Sequence, residues 1–295
     1  MKFTEGYWEK SERANASHAM QAFTVEKIPH GMRMVAPFHV ITDRAGALDV
    51  GTITTEFTAI RKDVISVRSW HFEGYEKKEP RFELNKDMQD VDVQISEKEA
   101  VMTAGRMQVC ISRENFLITY KADGKVLTTC GYRNLGYMQY DKKYQTKLPQ
   151  DNYMAADFTP YMETELSLAP GECVYGLGER FSAFVKNGQV VDCWNEDGGT
   201  ASQISYKNIP FYMTNKNYGV LVDHTDNVSF EVASEKVEYV GFSVKGEEIR
   251  YELIYGDDMK EVIRTYTDLT GKPALPPKWS FGLWLTTSFK TNYDE

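Results

Sequence analysis

Short runs in which apolar and polar residues alternate fill most of the chain. Val91, Val93 and Ile95 alternate with Asp92, Gln94 and Ser96. This two-residue period puts one face of a strand on a core and the other in water. Val64 to Phe72, Met107 to Ile111, Phe116 to Tyr120 and Val126 to Thr129 read as further strands. The polar run Ser112-Arg113-Glu114-Asn115 turns the chain between Ile111 and Phe116. Asp123-Gly124 separates the next pair, its glycine suited to the positive φ of a tight hairpin. Tyr218 to Val222, Val228 to Val232, Val237 to Val244 and Ile249 to Tyr255 then follow at close spacing. Such a run predicts a meander within a large antiparallel sandwich.

One helix stands out. Met259, Val262, Ile263, Tyr266 and Leu269 recur at spacings of three and four, which gives a single apolar face. Asp257 or Asp258 can cap its start, and Gly271 followed by Pro273 ends it. Beyond Pro276-Pro277 the pattern changes. Trp279, Phe281, Leu283, Trp284, Leu285 and Phe289 crowd together without alternation, as in a strand buried on both faces of a parallel sheet. Parallel strands need neighbours reached through long crossovers, and only six residues follow Phe289. The run therefore reads as the opening of a second domain. Residues after about 272 are expected to be disordered, self-associated or packed against other chains unless the rest of that domain is supplied.

Composition narrows the function classes. A chain of 295 residues, 42% hydrophobic and 26% charged, suits one large all-β domain or two smaller domains. Its net charge of −9 lacks the basic footprint of a nucleic-acid binder. No apolar window is long enough for a membrane-spanning helix, and the N-terminus has no hydrophobic leader, so no membrane partner and a cytoplasmic location are expected. Cys110, Cys130, Cys173 and Cys193 form no CxxC pair. That spacing argues against structural zinc and for free thiols in a reducing compartment. The five histidines show no ligand spacing, so no metal is expected. The sequons at Asn15 and Asn227 then read as chance matches. The 18 tyrosines and five tryptophans suit strands, and their ring faces also suit sugars.

Two stretches invite a chemical reading. Val174-Tyr175-Gly176-Leu177-Gly178-Glu179-Arg180-Phe181 looks like a glycine-rich phosphate loop, but Phe181 stands where the third glycine belongs and no helical pattern follows. Its glycines read instead as close backbone packing or a bulge, with Glu179 and Arg180 in local salt bridges. Asp192-Cys193-Trp194-Asn195-Glu196-Asp197-Gly198-Gly199-Thr200 is turn-forming. Trp194 beside these acidic side chains could offer a sugar a stacking face and hydrogen-bond acceptors. The alternative is a solvated turn with a buried tryptophan. No G-x-S-x-G elbow is present, and no carboxylate pair can be singled out among 43 acidic residues without geometry.

Taken together, three segments carry a resemblance: VYGLGERF at 174–181, WNEDGGTASQISYKNIPFYMTNKNYGVLV at 194–222, and PALPPKWSFGLWLTTSFKTNYDE at 273–295. They closely resemble the α-xylosidases of glycoside hydrolase family 31, and the similarity runs the length of the chain. The resemblance implies a mainly β fold: a large antiparallel, galactose-mutarotase-like N-terminal sandwich over residues 1–256. Residues 257–295 would be a linker helix and the first strand, Trp279 to Leu285, of a (β/α)8 catalytic barrel. It implies a retaining hydrolase that removes terminal α-linked xylose from xyloglucan-type oligosaccharides or α-xylosides without a cofactor. Both catalytic aspartates would lie on later barrel strands, beyond residue 295, so the chain alone is expected to be inactive.

Two substrate contacts carry over by position. Phe289 matches an aromatic at the non-reducing sugar site, where bulk excludes the hydroxymethyl group that distinguishes glucose from xylose. Asp197 matches an acidic residue on a sandwich loop that contacts sugar hydroxyls over the barrel mouth. The α-glucosidases of the family carry a Cys-Arg-aromatic run where this chain has Trp284-Leu285-Thr286-Thr287-Ser288-Phe289, which favours xylosidase. An α-glucosidase and a non-catalytic carbohydrate-binding module remain the alternatives. The implied partners are a carbohydrate substrate and either another copy of the chain or the chain carrying the rest of the barrel.

Overall fold

A computed structural model describes residues 2–5, 9–74, 81–140, 158–196 and 202–284. Three antiparallel sheets share one core. The largest has eight strands in the order Val174–Gly176, Phe211–Thr214, Tyr218–Val222, Glu248–Tyr255, Val64–Trp70, Thr52–Arg61, Gly31–Pro37 and Thr24–Ile28. The second has six: Gln189–Cys193, Val228–Val232, Tyr239–Lys245, Thr159–Ser167, Leu135–Tyr140 and Ala14–His18. A five-stranded sheet runs from Lys125–Cys130 through Leu117–Ala122, Met107–Ser112 and Glu99–Ala104 to Asp92–Ile95.

Alternation explains the sandwich. In Thr52–Arg61, Ile53, Thr55, Phe57 and Ala59 are buried while the residues between them are half-exposed. Met107–Ser112 repeats the pattern. The apolar faces of all three sheets close on one another. Phe242 of the six-stranded sheet meets Tyr251 of the eight-stranded sheet edge to face, with centroids 5.3 Å apart. The hydroxyls of Tyr120 and Tyr251 lie 2.7 Å apart and join the five-stranded sheet to the largest one, so each buried phenol satisfies the other. Burial holds both phenols well above their ordinary pKa. The expected hairpin forms at Asp123-Gly124, whose φ of 50° and 74° are the paired positive values of a type I′ turn.

The four strands between 218 and 255 do not form the expected meander. Val228–Val232 pairs with Tyr239–Lys245 in the six-stranded sheet, whereas Tyr218–Val222 pairs with Glu248–Tyr255 in the eight-stranded one. The chain crosses to the opposite sheet, makes a hairpin and crosses back. Every one of the four has an inward apolar face under either arrangement, so patterning alone could not separate them.

The helix Met259–Thr270 forms as the spacing predicts. Asp258 caps it by accepting from the Glu261 amide, and Glu261 accepts in turn from the Asp257 amide. Val262 and Leu269 pack on the outer face of the eight-stranded sheet against Val64, Leu221 and Ile254. Tyr266 stacks on Phe211 at 4.1 Å. A further tie comes from Arg106, in the turn between Glu99–Ala104 and Met107–Ser112. Its guanidinium binds Asp63 at 2.9 Å and also Asp257 at the helix start.

The strand expected at Trp279 to Leu285 is not formed in its described part. Lys278–Phe281 is a 3-10 turn, and Trp279, Phe281, Leu283 and Trp284 are exposed. None of the described strands pairs with this segment, and a strand without a ladder partner leaves its backbone to water. Leu285 and Phe289 lie outside the described residues.

Candidate functional site

Two edge strands converge on one loop cluster. Val174–Gly176 ends one flank of the eight-stranded sheet and Gln189–Cys193 ends one flank of the six-stranded sheet. Past Gly176 the backbone runs against 207–211, with the Leu177 amide donating to Phe211 O and the Glu179 amide to Lys207 O, both at 2.9 Å. This approach requires the glycines. A Cβ on Gly178, at φ 89°, would lie 2.0 Å from Lys207 O. The close-packing reading of VYGLGERF therefore holds.

The expected salt bridges divide. Glu179 pairs with Lys207 at 2.9 Å, as read. Arg180 does not form one: among the described residues its hydrogen-bond partners are all neutral. Its Nε donates to Leu177 O at 3.1 Å, Nη1 to Gln203 O at 3.0 Å, and Nη2 to Asp192 O at 2.9 Å and to Asn208 Oδ1. Backbone carbonyls converge on this point because three segments turn there, and a planar fork of N–H donors suits them better than a carboxylate does.

Asn208 continues the linkage. Its Nδ2 lies 2.7 Å from Trp194 O, 2.8 Å from Ser205 O and 2.9 Å from Asn195 Oδ1. The Glu196 amide donates to Ser205 O at 3.1 Å, and Ser205 Oγ donates to Glu179 O. The two stems of the loop, 192–196 and 202–208, are thus closed at their base.

Trp194 is 47% exposed, so the turn does not bury its tryptophan. Phe181, Phe184 and Tyr206 are also exposed. Nearby Lys186 is buried, its ammonium donating to Ala183 O at 2.8 Å and Ser182 Oγ at 3.0 Å. Burial first, and the neighbouring Arg180 second, lower its pKa. Burial also pushes the Cys193 thiol up to about 11, against the pull of Arg180. Asp197, the acidic residue carried over to this loop, lies outside the described residues, as does Phe289. All four cysteines are free. Among the described residues no three His, Cys, Asp or Glu side chains gather as a metal site needs.

A second polar concentration lies elsewhere, on the outer face of the eight-stranded sheet beside the helix. Glu252 is fully buried there and accepts from Ser66 Oγ at 3.1 Å, while its Oε2 has no partner among the described residues. Asp223, also buried, lies close enough to raise it further. Burial with this like charge pushes the Glu252 carboxyl up to about 8. Burial likewise raises Asp223, opposed by Arg250 and Arg81. The sequence held no signal for this carboxylate pair beyond the residue types themselves, because it is assembled across strands far apart in the chain.

A family model for the glycosyl hydrolase 31 N-terminal galactose mutarotase-like domain matches residues 54–231, more than half of the chain. The chain belongs to that family. It is 40% identical over its whole length to the alpha-xylosidase XylQ of Lactiplantibacillus pentosus. It is also 40% identical over its whole length to an alpha-xylosidase of Emericella nidulans. It spans 37% and 39% of those two relatives, so each extends well past the matched region. In fold it resembles a cycloalternan-forming enzyme from Listeria monocytogenes. There the TM-score is 0.72 at 19% identity, over 92% of this chain and 24% of that one. The mainly β, galactose-mutarotase-like class read from the sequence thus stands.

Proposed function

We propose that the chain is the N-terminal portion of a retaining α-xylosidase that releases terminal α-linked xylose from xyloglucan-type oligosaccharides or related α-xylosides. The whole-length match at 40% identity to two alpha-xylosidases carries this reading. Hydrolysis with retention needs two carboxyl groups about 5 Å apart, one as nucleophile and one as acid and then base. In this reading both stand on barrel strands outside the sequence. The 278–289 segment enters that barrel, where Phe289 limits room at the sugar C5 position and Asp197 accepts hydrogen bonds from sugar hydroxyls. The exposed Trp279, Phe281, Leu283 and Trp284 support the reading, because such a run in water calls for a covering partner. Four free thiols support a reducing compartment, in keeping with a cytoplasmic enzyme.

The test assays the 295-residue chain, and the longer enzyme that carries it, on aryl α-xyloside and aryl α-glucoside. The longer enzyme should turn over the xyloside and the chain alone should not. Replacing Phe289 by Ala in the longer enzyme should raise relative glucoside turnover by roughly tenfold or more. Turnover by the chain alone, or a glucoside preference in the unaltered enzyme, overturns the reading.

A further inference from the structure

The 181–189 segment is built with its polarity reversed. Its amine and amide side chains bond the loop and the sheets, and its apolar side chains face water. Lys186 is buried, and its ammonium donates to Ala183 O at 2.8 Å and Ser182 Oγ at 3.0 Å. Asn187 accepts from the Val174 amide at 2.8 Å and donates to Glu172 O at 3.0 Å. The Gln189 side chain donates to Val185 O at 2.7 Å. The backbone closes on both large sheets, the Lys186 amide on Val174 O at 2.8 Å and the Gly188 amide on Val232 O at 2.7 Å. Held in this way, Phe181 is 70% exposed, Phe184 79% and Val185 37%. A loop built only for water would bury these three and release the lysine. We propose that Phe181, Phe184 and Val185 form a docking surface for the domain that follows residue 295 on the same polypeptide. This docking rests on the reading of the chain as the N-terminal portion of a longer enzyme.

Size, position and length favour that occupant. The three side chains expose on the order of 350 Å², well under the about 800 Å² per partner of a standard interface between separate proteins. So small a surface suits a tethered domain, because the tether supplies an effective concentration that a free partner lacks. The bend before Phe181 lies against Phe211, with the Leu177 amide donating to Phe211 O at 2.9 Å. Phe211 in turn stacks on Tyr266 of the helix Met259–Thr270, which hands the chain on. The loop and the exit of the chain thus share one flank of the eight-stranded sheet, where Val174–Gly176 is the edge strand. Past the helix, Trp279, Phe281, Leu283 and Trp284 are exposed as well. The chain spans only 37% and 39% of the two alpha-xylosidases, which leaves each of them a larger part to be placed.

Hydroxyl-radical footprinting reads side-chain exposure directly. In the 295-residue chain Phe181, Phe184 and Trp279 should label readily. In the longer enzyme, labelling of Phe181 and Phe184 should fall about tenfold, while Tyr132, exposed just past the Lys125–Cys130 strand, labels as before. Phe181→Ser combined with Phe184→Ser should leave the urea midpoint of the 295-residue chain unchanged, because both rings stand in water there. In the longer enzyme the same pair should speed proteolytic cleavage at the 271–284 connection by about tenfold. Equal labelling of Phe181 and Phe184 in the two proteins, with Trp279 protected in the longer one, refutes the docking and leaves the longer-enzyme reading intact. If Trp279 also stays labelled, that reading fails with it. Protection of Phe181 and Phe184 that appears in the 295-residue chain as its concentration rises makes the occupant a second copy, and it too overturns the proposal. Neither readout depends on which sugar the enzyme cleaves.

Discussion

Glu252 offers a direct test of how the outer face of the eight-stranded sheet is built. The carboxyl is fully buried, has one oxygen without a partner among the described residues and is pushed up to about 8 from an ordinary 4.5. Between those values the unfolded chain has released the proton and the folded chain still holds it. Stability therefore falls as pH rises across that window and is insensitive to this group below it. Each pH unit withdraws about 1.4 kcal/mol, so the window from pH 5 to pH 8 should remove on the order of 4 kcal/mol. Asp223 shares the field, and the pair titrates as a unit. Glu252→Gln keeps the shape, keeps an acceptor for Ser66 and removes the proton. Urea unfolding at half-unit steps from pH 5 to pH 8 would compare the two proteins. The variant should match the parent near pH 5 and exceed it by a few kcal/mol at pH 8. Parallel stability curves would mean that Glu252 ionises as freely in the fold as in the unfolded chain, and would refute the burial argument.

Three further outcomes are expected from urea midpoints and exchange. Asp258→Ala removes the cap of the Met259–Thr270 helix and should cost about 1 kcal/mol, with faster exchange at the Glu261 amide. Arg106→Met strips the guanidinium from the nearly buried Asp63 and from Asp257 and should cost about 2–3 kcal/mol. Gly178→Ala forces a Cβ into Lys207 O at a positive φ and should cost about 2–3 kcal/mol, with the loss of protection centred on 176–179 and 207–211.

Local rules carried most of the fold. Thr52–Arg61 and Met107–Ser112 show the alternation that marks a half-buried strand, Asp123-Gly124 has the paired positive φ of its hairpin, and the helix ends where its cap and glycine place it. Strand partnership was not legible. The crossing of the chain between sheets around Val228–Lys245 depends on which inner face each strand meets, and two inward apolar faces look alike in sequence. The Trp279 run shows the converse. Its composition favours a strand, yet strand geometry is a property of a pair, and the 278–284 segment has no ladder partner among the described strands.

The loop cluster was legible as turn chemistry but not as a mechanism of rigidity, and the reason lies in what Arg180 binds. A salt bridge leaves a mark in sequence, since both partners must be charged, and Glu179 with Lys207 obeys that expectation. A guanidinium that binds carbonyls leaves none, because every residue supplies a carbonyl and only the fold decides which ones converge. The neighbouring glycines are the indirect trace. Gly178 lets the 177–179 backbone pass against Lys207, and that passage brings Leu177 O, Gln203 O and Asn208 within reach of one side chain. Glycine spacing and arginine in VYGLGERF thus belong to one device: the first brings the backbones together and the second holds them. Relaxing either should loosen the same stems, so Gly178→Ala and Arg180→Lys combined should speed exchange at 202–208 by less than the product of their separate effects. Fully multiplicative effects would show that the glycines and the arginine act independently.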